Sequence, residues 1–389
     1  MSKKNTQFTF IDLFAGIGGF HLAFHNAGAK CVFTSEWDEF ARKTYHANFE
    51  KIEPELFSSG NFVGDITKVD KNLIPDFDIL CAGFPCQPFS QAGHKLGFDD
   101  VRGTLFFDIA EIIRIKRPKA IFLENVRHLY KHDDGRTFAV IKKILTEELG
   151  YKIDHQIVKA TDHGLPQHRP RLFIVGFRDH DIEFEFPLKR ELMFTMSDVW
   201  EGHVDRTVGF TLRVGGKASP IDDRRNWDGY FVDGEVRRLT PREGKRMQGF
   251  PDDFEFPVPK SQAMKQLGNS VAVAAVQDYA EKIIEALSNE LDDSKNLTVA
   301  LKLENEDTKN DFERRKNQFQ NELSDACFKE EKARTEVQKW EATYKEWMSA
   351  MESRVNNLMH TNEFLQVCFV FVWVSVRDSI YRNVELEKI

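Results

Sequence analysis

Cys86 lies between two prolines in the segment Gly83-Phe84-Pro85-Cys86-Gln87-Pro88-Phe89-Ser90. A deprotonated thiol is a strong nucleophile that forms covalent adducts with electrophilic carbon. Each proline fixes its own φ and restricts its neighbour, so this cysteine sits on a stiff loop. The apolar run Phe77-Asp78-Ile79-Leu80-Cys81-Ala82 just upstream reads as a buried strand. The pattern suits a nucleophile displayed at the carboxyl edge of an α/β sheet. Taken alone, it suits a structural cysteine equally well.

Two further charged groups extend the chemistry. Glu124 closes the apolar run Ala120-Ile121-Phe122-Leu123. A carboxyl at a strand's carboxyl end points into the crevice where such sheets bind ligands; the alternative is an N-terminal charge for a following helix. Gln167-His168-Arg169-Pro170-Arg171 precedes the strand-like run Leu172-Phe173-Ile174-Val175-Gly176. Its arginines could bind phosphate, brace Glu124, or supply the positive field that makes Cys86 a thiolate. A solvated charge cluster is the competing reading.

A ligand-binding turn lies near the start of the chain. Phe10-Ile11-Asp12-Leu13-Phe14 runs into Ala15-Gly16-Ile17-Gly18-Gly19, followed by a helical pattern with Phe20, Ala23, Phe24 and Ala27 on one face. Glycines there let backbone amides approach a ligand closely. The dinucleotide fingerprint is incomplete, because His21 holds the third glycine's place. Glu36-Trp37 ends the next strand, about 20 residues past the glycines, where an acid suits a ribose diol and an indole suits a purine. The alternatives are a surface carboxylate and a core tryptophan.

These groups need a scaffold, and the order of elements supplies one. Strand-like runs at residues 8–14, 30–35, 78–82, 119–123, 153–160 and 171–177 alternate with helical stretches such as 104–115 and 137–149. This order predicts a doubly wound, Rossmann-like α/β sheet. Residues 260–287 read as a final segment packing back on it.

The chain resembles the cytosine-5 DNA methyltransferases of bacterial restriction–modification systems. The resemblance rests on Asp12 through Gly19, Gly64-Asp65-Ile66, Gly83 through Gln87, Arg102-Gly103-Thr104-Leu105-Phe106, Glu124-Asn125-Val126, Gln167 through Arg171, Arg238-Leu239-Thr240-Pro241-Arg242-Glu243 and Gln266-Leu267-Gly268-Asn269-Ser270-Val271, all in family order. It spans about residues 8–287. It implies that Cys86 attacks carbon 6 of a flipped-out cytosine, that Glu124 donates to ring N3, and that Arg169 and Arg171 assist. The implied methyl donor is S-adenosylmethionine, with no metal. Phe14, Gly16 and Gly18 would shape its pocket, and Glu36 would take the ribose hydroxyls. Trp37 and Ile66 would sandwich the adenine, Asp65 would read its amino group, and Leu105 would close the pocket. Asn269 and Val271 would reach the pocket from the far end of the domain. The implied partner is duplex DNA, with a cognate restriction endonuclease as a further candidate.

The resemblance also divides the chain. Residues 1–186 would form the catalytic and cofactor domain, 187–236 a compact target-recognition region, and 237–288 a return segment. Within the recognition region Thr211-Leu212, Arg213, Arg224, Arg225, Trp227 and Tyr230 would supply guanidinium forks and aromatic surface. Ser90, Gln91 and His94 would approach DNA from a loop, ending near Asp99 to Gly103, that closes on binding. Residues 289–389 form a charged, helix-prone tail outside the resemblance. Its stripe Val337, Trp340, Tyr344, Trp347 and Met351 suits a coiled-coil seam or packing on the catalytic domain. Residues 364–374 read as a buried strand, an oligomer contact or an aggregation-prone end.

Net charge is −8, which is unusual for a DNA-binding protein. The acidity is uneven: residues 289–389 hold 15 Lys/Arg against 20 Asp/Glu, whereas residues 205–248 hold 10 against 7. The positive field is therefore local. Five cysteines (31, 81, 86, 327 and 368) form no metal-type pair. Their odd number and the lack of a signal peptide point to a reducing cytoplasm. A cytosine-5 RNA methyltransferase and a non-catalytic DNA-binding relative are the alternatives weighed against this reading.

Overall fold

The computed structural model describes residues 8–85, 104–214, 219–329, 334–358 and 375. Residues 1–295 cluster as one compact unit and 296–389 as a second. The first unit opens with β1 (Thr9–Leu13), α1 (Gly19–Asn26), β2 (Lys30–Ser35), α2 (Glu39–Phe49), α3 (Pro54–Ser58) and β3 (Phe62–Val63). It continues with β4 (Ile79–Gly83), α4 (Leu105–Lys116), β5 (Ala120–Val126), α5 (Arg136–Lys143), β6 (Lys152–Lys159) and β7 (Pro170–Phe177). The seven strands form one sheet in the order β3-β2-β1-β4-β5-β7-β6. Every pairing is parallel except the two made by β7. The sheet is therefore mixed, and the strand order reverses beside β1, where such sheets open a ligand crevice.

Alternation along each strand explains why helices cover both faces. Ile11, Leu13, Ile121 and Leu123 are buried with Phe106, Ile109 and Ile113 of α4 and Phe138 and Ile141 of α5. Phe10 and Phe122 are buried in a separate cluster with Phe20 and Phe24 of α1. The α5 helix passes into a π-helical turn, Ile144–Glu148, which completes the helical stretch expected there. His21 is fully buried, its Nδ1 2.5 Å from the Tyr45 hydroxyl and its ring stacked on Phe49. Packed aromatic surface thus replaces the close approach a third glycine would allow.

Beyond β7 the chain forms α6 (Met196–Trp200), a hairpin of β8 (Gly229–Val232) and β9 (Glu235–Arg238), α7 (Pro241–Gln248) and α8 (Lys260–Asn269). The hairpin turns on Asp233-Gly234, both with positive φ, as a two-residue primed turn requires. The motif Thr240-Pro241-Arg242-Glu243 is a helix start. Glu243 accepts from the Thr240 amide and hydroxyl, and Pro241 takes the first turn, where a missing N–H costs nothing.

The expected return to the sheet occurs through α9 (Val273–Lys329). Tyr279 stacks on Phe122 at 5.6 Å and meets Phe173 edge-on. The distal part of α9 and α10 (Arg334–Leu358) belong to the second unit. The helix expected for the aromatic stripe is α10, with Tyr344 and Trp347 exposed. Residues 364–374 lie outside the described residues. No helix among the described residues is long and apolar enough to cross a membrane.

Candidate active site

The crevice opens where β1 passes into α1. Gly18 caps α1 at φ +85°, and a Cβ there would lie 2.2 Å from the Phe49 ring. Gly16, at φ +58°, faces open space: a Cβ there would meet nothing within 4 Å. Phe14 also adopts positive φ (57°), an uncommon conformation for a bulky residue. Such strain is a recurrent mark of ligand-gripping turns.

Glu36, at the end of β2, fixes this turn. Its Oε2 accepts from the Gly16 amide and its Oε1 from the Asp38 amide, both at 2.7 Å. Burial lifts its pKa more than these bonds lower it. Glu36 is thus not a surface carboxylate. Trp37 is not a core residue either, since it is 80% exposed.

Nearby, Asp65 caps the turn Ile66–Lys68 and accepts from the Thr67 amide and hydroxyl, which holds its carboxyl below the usual range. Ile66 is buried, and Leu105 is the first residue of α4. Val271 is buried where a Cβ on Gly19 would come within 2.6 Å of it, so the return segment does reach the glycine turn. Asn269, the last residue of α8, is exposed. An open glycine turn, a buried ribose-type carboxylate and a bare indole fit an adenosine cofactor.

The second cluster forms where β4 and β5 end. Gly83 pairs with Glu124 in the parallel register, and a Cβ on Gly83 would lie 3.6 Å from Glu124 Oε2. Asn125 donates its Nδ2 to the Phe84 carbonyl at 2.8 Å, fastening the chain that leaves β4 to β5. Sequence reading gave Asn125 no role; its position beside Glu124 in the motif was the available signal. Cys86, Ser90, Gln91 and His94 lie outside the described residues, but residue 86 is only three positions past Gly83.

Glu124 is 8% exposed, and Arg171 Nε lies 2.9 Å from its Oε1. Full burial raises the Glu124 pKa, and the opposing pull of Arg171 and Arg169 does not cancel it. Glu124 is therefore neither a helix-capping charge nor an ordinary carboxylate. Burial of this kind favours the protonated form, which can give its proton to a base.

The two arginines separate. Arg171 braces Glu124 as expected. Arg169 is 2% exposed and donates to the carbonyls of Leu212, Gly268 and Ser270. Arg169 is therefore not part of a solvated charge cluster, and it acts on Glu124 through its field. The reason is local: Arg169 precedes Pro170, the first residue of β7, so the two-residue spacing to Arg171 does not put both on one strand face. Gln167 is equally buried and bonds Met247, Gln248 and the Leu212 amide.

The recognition region differs from expectation in one respect. Trp227 and Tyr230 are 1% and 3% exposed, so they form core and not aromatic surface. Thr211 donates its hydroxyl to the His168 carbonyl. Arg213 and Arg224 are exposed. Arg225 is held by a bidentate pair with Asp223, whose pKa is pulled to about 2, chiefly by that side-chain bond.

The C-5 cytosine-specific DNA methylase family matches residues 8–209 and 203–285. The chain belongs to that family. It is 45% identical over 326 residues to the type II methyltransferase M.SsoII of Shigella sonnei, covering 74% of this chain and 83% of that one. M.HpaII of Haemophilus parainfluenzae is 44% identical over 334 residues, covering 73% and 91%. The Entamoeba histolytica methyltransferase EhMeth shares the fold, with a TM-score of 0.55 at 20% identity over 73% of this chain and 99% of that one. The enzyme methylates carbon 5 of cytosine in DNA, with S-adenosylmethionine as methyl donor. Among the described residues, no cluster of His, Cys, Asp or Glu could hold a metal ion.

Proposed function

We propose that this methyltransferase works through a covalent bond between the Cys86 sulfur and cytosine carbon 6. The observation that carries the assignment is the juncture of β4 and β5, which sets the chain leaving Gly83 beside a buried Glu124 braced by Arg171. The Cys86 thiolate adds at carbon 6 while Glu124 gives its proton to N3. The ring becomes enamine-like, and carbon 5 becomes a nucleophile. S-adenosylmethionine supplies the electrophilic methyl group. Loss of the proton from carbon 5 and elimination of the thiolate then free Cys86 and restore the aromatic ring. A base inside duplex DNA is out of reach, so the cytosine must be flipped out, which costs on the order of a few kcal/mol.

The cofactor pocket is assigned to Phe14, Gly16, Gly18, Glu36, Trp37, Asp65, Ile66, Leu105, Asn269 and Val271. The open space at Gly16 and the bare ring of Trp37 support this. Asp65 reads the adenine amino group with the carboxylate capacity its turn leaves over. Arg169 acts as a positioning residue, holding Leu212 of the recognition region against Gly268 and Ser270 on either side of Asn269.

Residues 187–236 read the DNA, through Arg213 and Arg224, while Thr211 shapes the loop. Arg225 must exchange Asp223 for a phosphate or base to take part. Ser90 and Gln91 contact the target from the Cys86 side. Residues 1–186 and 237–288 make up the catalytic domain, and 289–389 form a charged tail, helical over the described parts of α9 and α10.

M.SsoII and M.HpaII are type II methyltransferases, which supports a role in a restriction–modification system, alongside a cognate endonuclease, in the cytoplasm. Bisulfite sequencing of unmethylated plasmid treated with the protein and S-adenosylmethionine tests this reading. Protection of cytosines in one short duplex motif is expected. Scattered protection without a motif, or none from a folded protein, would contradict it.

A further inference from the structure

Lys71 begins the short turn Lys71–Leu73 that follows the Ile66 turn, and it is 7% exposed. Its ammonium donates to the Ile66 carbonyl at 2.7 Å and lies 2.9 Å from Asp108 Oδ1. Asp108 is in the first turn of α4, three residues past Leu105 and on the same side of the helix. One cation therefore ties the backbone of Ile66 to the helix that begins with Leu105. Those residues are two walls of the proposed adenine pocket.

Burial decides what this pair can do. With side-chain exposures of 7% and 12%, it is shielded from salt and differs from the surface pairs that contribute little. A buried ion pair is nevertheless poor evidence of a stabilising role, because well-packed apolar residues of similar volume often serve stability as well. Apolar residues would not, however, hold the Ile66 carbonyl. The bond to that carbonyl is a charge-assisted one, stronger than a neutral bond. It acts on the backbone that carries the wall.

We propose that Lys71 is a positioning residue for the cofactor, fixing Ile66 and Leu105 in register so that the adenine pocket is formed before ligand arrives. The proposal rests on the adenine-pocket reading given above. Preorganisation of this kind appears as affinity, because the ordering cost is removed from the binding step.

The test is calorimetric binding of S-adenosylhomocysteine to the full-length protein, with melting temperatures measured in parallel. Lys71→Met strands Asp108 and lowers both stability and affinity. In Lys71→Met/Asp108→Leu the stranded charge is gone, and the melting temperature returns toward that of the parent. Affinity stays about tenfold weaker, the equivalent of one hydrogen bond from a charged donor. Wild-type affinity in the double variant overturns the proposal. If the double variant remains unstable, Leu145→Ala, a core truncation on α5's continuation, serves as a destabilised control. Lys71→Met must then weaken binding well beyond that control, and an equal effect overturns the proposal. Trp37→Ala separates the two layers of inference, since an exposed ring can be removed without loss of core. Unchanged affinity in Trp37→Ala means that the adenine-pocket reading itself has failed.

Discussion

Replacing Cys86 with alanine is expected to remove methyl transfer, a loss on the order of 10⁴-fold or more, while duplex binding persists. The sulfur makes the only covalent bond between enzyme and base in the proposed reaction, and an alanine methyl group has no electron pair to replace it. The groups assigned to DNA reading, Arg213 and Arg224 among them, are elsewhere on the chain and keep their exposed positions. The thiols of β2 and β4 cannot substitute. Cys81 and Cys31 are fully buried, and burial pushes both thiols well above their usual pKa, away from the reactive thiolate. Single-turnover methylation and a gel-shift titration on the same duplex read the two halves of the expectation. A variant that still methylates at a comparable rate would remove Cys86 from the mechanism.

Glu124→Gln is expected to slow the single-turnover rate by about 10²–10⁴-fold, the usual contribution of a positioned general acid. The substitution is nearly isosteric and keeps an oxygen for Arg171, so the loss isolates proton donation from packing. The pH dependence carries a sign. Because burial raises the Glu124 pKa, its acid form persists to higher pH than an ordinary carboxyl allows. Activity that depends on that acid form falls as pH rises through the raised pKa, and the glutamine variant should lack this alkaline limb. Stability follows the same direction: a raised carboxyl pKa contributes fully below the unfolded pKa and loses its contribution as pH rises through the folded one. The variant should therefore gain relative stability toward alkaline pH. An unchanged rate, or an alkaline limb that survives the substitution, would count against the acid role.

How much of this was legible in the sequence depends on the range of each interaction. The strands and their carboxyl-end acids could be read because apolar runs and glycine turns are local signals. Glu36 and Glu124 accordingly sit where the sequence placed them. The hairpin at Asp233-Gly234 also had a local signal, since that dipeptide between β-formers is a strong turn marker. The burial of Trp227 and Tyr230 was not legible. A small region with few helices must build a core, and aromatic rings bury the most apolar area per residue. In sequence such rings look the same as a base-stacking surface.

Arg169 and Arg171 differ because the first lies outside β7 and finds its partners some 43 to 101 positions away. Lys71 and Asp108 meet from separate elements 37 positions apart, with no pattern linking them. Conversely, Asp223 and Arg225 are two residues apart, and their pairing could have been anticipated from spacing alone.

The central claim is that Cys86 forms a covalent bond to the target cytosine, and trapping that bond tests it most directly. A duplex carrying 5-fluorocytosine in the methylated position has no proton at carbon 5 to lose after methylation, so the thiolate cannot be eliminated. Incubated with the protein and S-adenosylmethionine, then digested and mapped by mass spectrometry, it should yield one adduct, on the peptide containing Cys86. No adduct from an active preparation, or a bond to any other residue, would contradict the account.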